Sequence, residues 1–176
     1  MMNIELRLNT VISKIEATRV SLSNHEVFDQ CRLIWTAGVR SADFVQTLPV
    51  EKNPQGRVKV DEFLRIDESC FVIGDAAYFK HNNGYLRMAV QFAVAQGSSA
   101  VINIMNMDQG KKLAPYRPVD MGYIIPMANN HSCGNVFNVD IQGRLGIGLH
   151  YLMSVYRAYG LKNKLNIIAA LTKGGK

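Results

Sequence analysis

Cys70-Phe71-Val72-Ile73-Gly74-Asp75-Ala76-Ala77 is an unbroken apolar run closed by a glycine and an acid. Such a run predicts a strand covered on both faces, as in the parallel sheet of an α/β fold. The glycine at its carboxyl end lets a ligand approach the backbone, and the acid after it can accept hydrogen bonds from the hydroxyls of a sugar. Asp75 can equally cap the turn that follows; the residues alone leave both readings open. Upstream, Leu33-Ile34-Trp35 runs into Thr36-Ala37-Gly38 and predicts another buried strand, ending at a residue that permits unusual backbone angles. Val58-Lys59-Val60-Asp61 follows a turn by chemistry, Asn53-Pro54-Gln55-Gly56. Nearer the start, Ile4, Leu6 and Leu8 alternate with polar residues, as do Val20 and Leu22, and predict short antiparallel strands with one wet face.

Downstream, Asn82-Asn83-Gly84 marks a turn, and from Leu86 to Met107 the pattern becomes helical. Met88, Phe92, Ala95, Ser99, Ile102 and Asn106 lie roughly along one side, and small residues such as Ala93, Gly97 and Ala100 allow close packing of the others. This predicts one long core helix. Met121 to Met127 and Val136 to Ile141 predict two strands joined by the polar stretch 129–134. Leu145, Leu149, Leu152, Met153 and Tyr156 then fall at helical spacing, Gly160 breaks the helix, and Leu161, Leu165, Ile168 and Ala169 repeat it.

With 176 residues, 48% hydrophobic and 19% charged, the chain has the composition of a globular protein, and disorder, collagen-like structure and low complexity are excluded. Its net charge of +6 is unevenly placed. Residues 1–140 balance 14 bases against 14 acids, while residues 141–176 hold Arg144, Arg157, Lys162, Lys164, Lys173 and Lys176 and no acid. Cys31, Cys70 and Cys133 are odd in number and far apart, which argues against a disulfide scaffold and against CxxC pairs, and for a reducing compartment. His131 with Cys133 is too small a set for zinc, so no metal site is expected. His81, His131 and His150 are scattered and read as structural or solvated. The nearly apolar run Leu145 to Tyr156 is shorter than the roughly 18–20 residues of a spanning helix. The alternating start, Met-Met-Asn-Ile-Glu-Leu-Arg, does not read as a secretory signal.

The order of the Leu33–Val39 run, the Val58–Asp61 run with Leu64-Arg65, the Phe71–Ala77 run and an Ala/Gln-rich helix resembles the carboxyl half of two-dinucleotide-domain flavoproteins. Within that superfamily the chain most resembles type II NADH dehydrogenases, single-subunit NADH:quinone oxidoreductases. Val90-Gln91-Phe92-Ala93-Val94-Ala95-Gln96-Gly97 is similar to that family's Ala-Gln-x-Ala-x-Gln-x-Gly helix. Gly148-Leu149-His150-Tyr151-Leu152 through Lys162-Asn163-Lys164-Leu165 is similar to its C-terminal membrane-binding helices. Two departures stand out: the family's second Gln falls on Ala95, with Gln96 one place later, and no Gly-x-Gly-x-x-Gly occurs in these residues.

The resemblance implies a partial two-dinucleotide-domain fold, α/β in the whole enzyme and α+β in isolation. Residues 1–36 would be a remnant of the NADH-binding domain, 37–107 the carboxyl part of the FAD-binding domain, and 108–176 a membrane-association or dimer region. It implies FAD and NADH as cofactors, both needing upstream fingerprints, and a quinone as acceptor. Asp75 would bond the FAD ribityl chain and Gly74 let the backbone come close, with Ala76, Met88, Ala89 and Val90 also at the cofactor. The helix beginning near Leu86 would point its positive end, about half a charge, at the anionic reduced ring. Gln91 would meet the quinone, with Ala95 and Gln96 beside it, although a core amide bonded to neighbouring backbone fits Gln91 as well. The hydride chemistry belongs to the cofactor, so no catalytic acid, base or nucleophile is expected.

For the basic tail three readings remain: an interfacial anchor on anionic lipid through Arg157, Lys162, Lys164 and Lys173, nucleic-acid binding without a reading motif, and a packed helix with a solvated face. The first accounts for the apolar stripe, and it implies a peripheral enzyme on the cytoplasmic side of the cell membrane, without nucleic acid as partner and with homodimerisation open. These residues by themselves are expected to be inactive. A non-catalytic membrane-docking or interaction module, and a sulfide:quinone reductase, are the competing readings.

Overall fold

The computed structural model describes residues 4–127 and 131–173, with the backbone alone for 172 and 173. The chain divides into two compact units, one ending at Val39 and one beginning at Arg40.

The first unit is an antiparallel sheet of β1 (Ile12–Ile15), β2 (Arg19–Leu22) and β3 (Val27–Asp29), in that order. Arg19 sits opposite Asp29 and forms an ion pair with it at 2.6 Å across the ladder. Val20 is its buried side chain among the described residues. The predicted strand at Leu33-Ile34-Trp35 does not form: the segment has no regular structure, and Ile34 is 77% exposed. An apolar run becomes a buried strand only where neighbouring strands take up its backbone groups, and no described strand of this unit pairs with it. Ile4, Leu6 and Leu8 are likewise exposed and outside the sheet.

The second unit begins with the short helix α1 (Asp43–Thr47). β4 (Val58–Val60) then pairs in parallel with β5 (Ala77–His81), Val58 opposite Ala77 and Val60 opposite Phe79. β5 turns at Asn82-Asn83 into β6 (Gly84–Tyr85), with Asn82 in the left-handed region as its residue type permits. The predicted strand at Cys70–Ile73 is reduced to one bridge, Arg65 with Phe71, and Cys70 and Ile73 are exposed; again no described strand pairs with it. The core gathers Leu64, Phe79, Leu86, Phe92 and Tyr116, with Phe79 and Tyr116 edge to face at 5.2 Å.

The long helix, α2, spans Val90–Asp108 and not Leu86–Met107. Leu86 still belongs to the hairpin, its N–H bonded to the Phe79 carbonyl, and Ala89 is extended. The inward face also differs from the predicted one: Phe92, Gln96, Ala100 and Asn103 are buried, while Ala95 and Ile102 are exposed. Periodicity of apolar residues misses this because two of the four are amides. Asn103 is satisfied inside by both backbone groups of Ala114, at 2.9 Å each, which fastens the segment after the helix.

β7 (Gly122–Met127), β8 (His131–Val136) and β9 (Val139–Gln142) form a third, antiparallel sheet. The polar stretch predicted as a connection is therefore itself a strand from His131 onward, and residues 129 and 130 lie outside the described residues. α3 (Arg144–Arg157) packs on this sheet and α4 (Leu161–Lys173) on α3, as the helical spacing predicts, with Gly160 at φ +81 between them. The start of α3 is fastened to β8: the Ser132 hydroxyl donates to the Gly143 carbonyl at 2.8 Å, and Gly143 N–H to the Ser132 carbonyl. Gly146 lies where any Cβ would meet the Ser132 hydroxyl, so the close approach requires glycine.

Candidate functional site

Gly74, Asp75 and Ala76 form a single 3₁₀ turn between the Phe71 bridge and β5. Gly74 has φ +66, and its backbone comes so near α2 that an added Cβ would touch the Ala93 methyl at 3.4 Å. Its N–H donates to the side-chain oxygen of Gln96 at 2.7 Å. Gln96 is 2% exposed and commits its amide oxygen to this turn, so the structure turns it away from the surface on which a quinone was expected to meet it. Ala95 is exposed on the other side of the helix. Asp75 presents an exposed carboxylate that accepts no hydrogen bond from the described residues.

The turn rests on a residue without a sequence signal. Arg57 is 4% exposed; its guanidinium donates to the Leu86 carbonyl at 2.9 Å and to the Ala77 carbonyl, and its Nε has no partner. No carboxylate of the described residues is bonded to it. Burial pushes its pKa down, and the charge of Asp75 partly restores it. One buried cation thus joins the start of β5 to the residue after β6 from inside.

The first turn of α2 is open: no side chain caps it, and no acid lies in it. Its leading amides lack intrahelical acceptors and carry the positive end of the helix dipole. An exposed carboxylate on a glycine turn, packed against the first turn of an uncapped helix, is a donor and acceptor set that suits a group bearing both hydroxyls and developing negative charge.

Gln91, the second residue of α2, has its amide bonded in both directions. It donates to Asp120 at 3.0 Å and to the Gly122 carbonyl at 3.1 Å, and accepts from Met121 N–H at 3.2 Å. Arg87 joins the same cluster, bonding both Asp120 oxygens and the Gly122 carbonyl while lying over the rings of Phe92 and Tyr123. The Arg87 guanidinium, with help from Gly122 N–H and Gln91, holds the Asp120 carboxyl down at about 2. Neither Arg87 nor Asp120 stood out in the sequence. The visible trace is a charge of each sign just outside the helix and the strand that they join.

Beyond this cluster opens a groove of about 480 Å³, largely apolar. The residues from Met88 to Gln91 form one wall, Tyr123 and Ile124 of β7 a second, and Leu149, His150, Met153 and Arg157 of α3 a third. The structure therefore brings Met88, Ala89, Val90 and Gln91 together at one opening and sets the Gly74 turn one helical turn away. His150, read from the sequence as structural or solvated, lines this opening.

Arg157 also borders a second hollow at the α3–α4 corner, with Lys164. Around it Tyr156, Leu161 and Leu165 are exposed, and Tyr159 is 94% exposed. Lys162 is exposed as well, and the Lys173 side chain lies outside the described residues. Among the described residues no helix is long and apolar enough to cross a membrane, and no group of three or more His, Cys, Asp or Glu could hold a metal.

The sequence pattern of the pyridine nucleotide-disulphide oxidoreductases matches residues 1–97. An NADH dehydrogenase-like protein of Mycobacterium tuberculosis is 28% identical over 106 residues, 58% of this chain and 26% of that protein. Type II NADH:quinone oxidoreductases are 26% identical over 141 residues in Haemophilus influenzae (78% of this chain, 32% of the relative) and 28% over 116 residues in Staphylococcus saprophyticus (64% and 29%). The chain thus spans about a quarter to a third of the length of these relatives.

Proposed function

This chain belongs to the pyridine nucleotide-disulphide oxidoreductase family, and from that premise we propose that it forms the carboxyl-terminal part of an NADH-oxidising flavoenzyme that reduces a quinone at a membrane surface. The observation that carries the reading is the position of α2. Its uncapped first turn has the Gly74–Ala76 turn on one side, through Ala93, and lines the apolar groove on the other, through Val90 and Gln91.

A flavin, when bound, supplies the hydride acceptance and the two-electron transfer. This chain supplies the surroundings. Asp75 would accept hydrogen bonds from the hydroxyls of the ribityl chain, and Gly74 would admit it to the backbone. Ala76, Met88, Ala89 and Val90 would border the ring, and the open helix end would favour negative charge there. Arg87, Gln91 and Asp120 pin the first turn of α2 to β7, which holds the groove open beside it. The apolar lining suits a lipid-soluble acceptor; two of these relatives carry quinone in their names.

Peripheral attachment to anionic lipid is supported by the exposed Tyr156, Tyr159 and Leu161 beside Arg157, Lys162 and Lys164, in a segment without acids. For the parts of the chain we propose residues 1–36 as belonging to the NADH-binding domain, 37–107 to the FAD-binding domain and 108–176 to membrane association.

Reconstitution tests the reading. Joined to the Gly-x-Gly-x-x-Gly βαβ units that such an enzyme needs, and that residues 1–176 do not contain, the chain should yield a yellow protein that oxidises NADH only with a quinone present. A colourless protein would leave the non-catalytic docking module in its place.

A further inference from the structure

We propose that His150 is the hydrogen-bond donor of the groove, its imidazole N–H taking a carbonyl oxygen of the quinone ring. This rests on the quinone reading above and adds the residue that recognises the acceptor. The sequence pattern of α2 points to Gln91 for that role, but in the structure Gln91 is already occupied. Both ends of its amide are bonded to Asp120, Met121 and Gly122, and a quinone could take it only by breaking bonds that hold α2 to β7. Arg87 is committed to the same cluster.

Three polar side chains of the lining remain. Tyr123 has its ring under the Arg87 guanidinium, 5.9 Å from centroid to cation, and is half-exposed to solvent. Arg157 ends α3 and is shared with the basic corner that faces the proposed lipid surface. His150 is half-buried, has Leu149 and Met153 beside it in the same wall, and makes no side-chain hydrogen bond within the described residues. Its ring lies edge to face with that of Tyr151, at 5.6 Å. A neutral imidazole carries one N–H donor and one acceptor, and a donor facing an apolar wall gains most from a ligand carbonyl. A quinone brings carbonyl oxygens on an apolar ring and no donor, the complement of this wall.

The chain has four histidines, His25, His81, His131 and His150, so imidazole signals from ¹⁵N-histidine-labelled protein report the contact directly. A short-chain quinone titrated into the detergent-solubilised chain should shift the His150 resonance and leave the other three in place. His150→Leu should weaken binding about three- to tenfold, the worth of one hydrogen bond, and His150→Gln, which keeps a donor, should stay within about twofold of wild type. Tyr123→Phe should lose less binding than His150→Leu does. Binding with an unshifted His150 signal, or a loss in Tyr123→Phe equal to that in His150→Leu, overturns the assignment and leaves the quinone reading intact. A wild-type chain that binds no quinone removes both. If His150→Leu does not fold, the wild-type titration and His150→Gln decide.

Discussion

The Gly74–Ala76 turn and the α3–α4 corner face opposite problems. At the turn, polar groups are inside: Arg57 and Gln96 are buried and hold backbone atoms that would otherwise be unpaired. At the corner, apolar groups are outside: Tyr156, Tyr159 and Leu161 are exposed among cations. A buried polar network is all or nothing, because one missing partner strands another group without water. An exposed apolar and basic surface is additive, each residue contributing a small, salt-sensitive share. The two regions should therefore break differently.

The sharpest break is Arg57→Ala, which leaves the Ala77 and Leu86 carbonyls unpaired and opens a cavity between β5 and the residues after β6. Two buried acceptors at about 1–3 kcal/mol each predict a loss of about 3 kcal/mol, read from the midpoint of urea unfolding of the second unit. A loss under about 1 kcal/mol would mean that the guanidinium is not what joins the hairpin.

Next in size is Gln96→Leu, which removes the partner of Gly74 N–H and should cost about 2 kcal/mol. The neighbouring Ala95→Leu, on the exposed side, should stay within about 0.5 kcal/mol. Equal costs at the two positions would put the helix in the register that the sequence suggests and would undo the packing of the Gly74 turn.

This pair also marks what sequence could and could not convey. The Gly74-Asp75 turn, the long helix and the two C-terminal helices were legible, since glycine placement and apolar spacing are local properties. The inward face of α2 was not, because Gln96 and Asn103 are buried by partners, Gly74 and Ala114, that no periodicity reveals. The Leu33–Trp35 and Cys70–Ile73 runs were legible as buried strands yet form none, since a strand is a property of its neighbours as much as of its own residues. Arg57 was invisible for the first reason: an isolated arginine reads as surface until its carbonyl partners are known. Of the groove, the Met88–Gln91 segment is one continuous stretch of sequence, whereas Tyr123 and His150 reach it only through tertiary packing.

At the corner the effects should be graded. Lys162→Ala, Lys164→Ala and Arg157→Ala should each weaken co-sedimentation with anionic vesicles by up to about fivefold, close to 1 kcal/mol per charge, and the combined variant should lose roughly the sum. The deficit should shrink at high salt. A single substitution that abolished binding would make this corner a specific site of the same kind as the turn.

The Arg87–Asp120 cluster lies between the two regimes, half-exposed yet multiply bonded, and pH separates its contributions. The folded carboxyl is held at about 2, below its ordinary 3.8, chiefly by the hydrogen bond from Arg87. A depressed folded pKa stabilises the protein above the unfolded value and loses that stabilisation as pH falls from about 4 through 2. Because Asp120 is more than a third exposed, solvent screening reduces the effect to about 0.5–1 kcal/mol. Asp120→Asn should therefore unfold at a lower urea concentration than wild type at pH 6, and the gap should close by about pH 2. A gap that persisted unchanged into acid would show that the Asp120→Asn variant fails through geometry, and that the first turn of α2 is held by hydrogen-bond shape and not by the charge on the carboxylate.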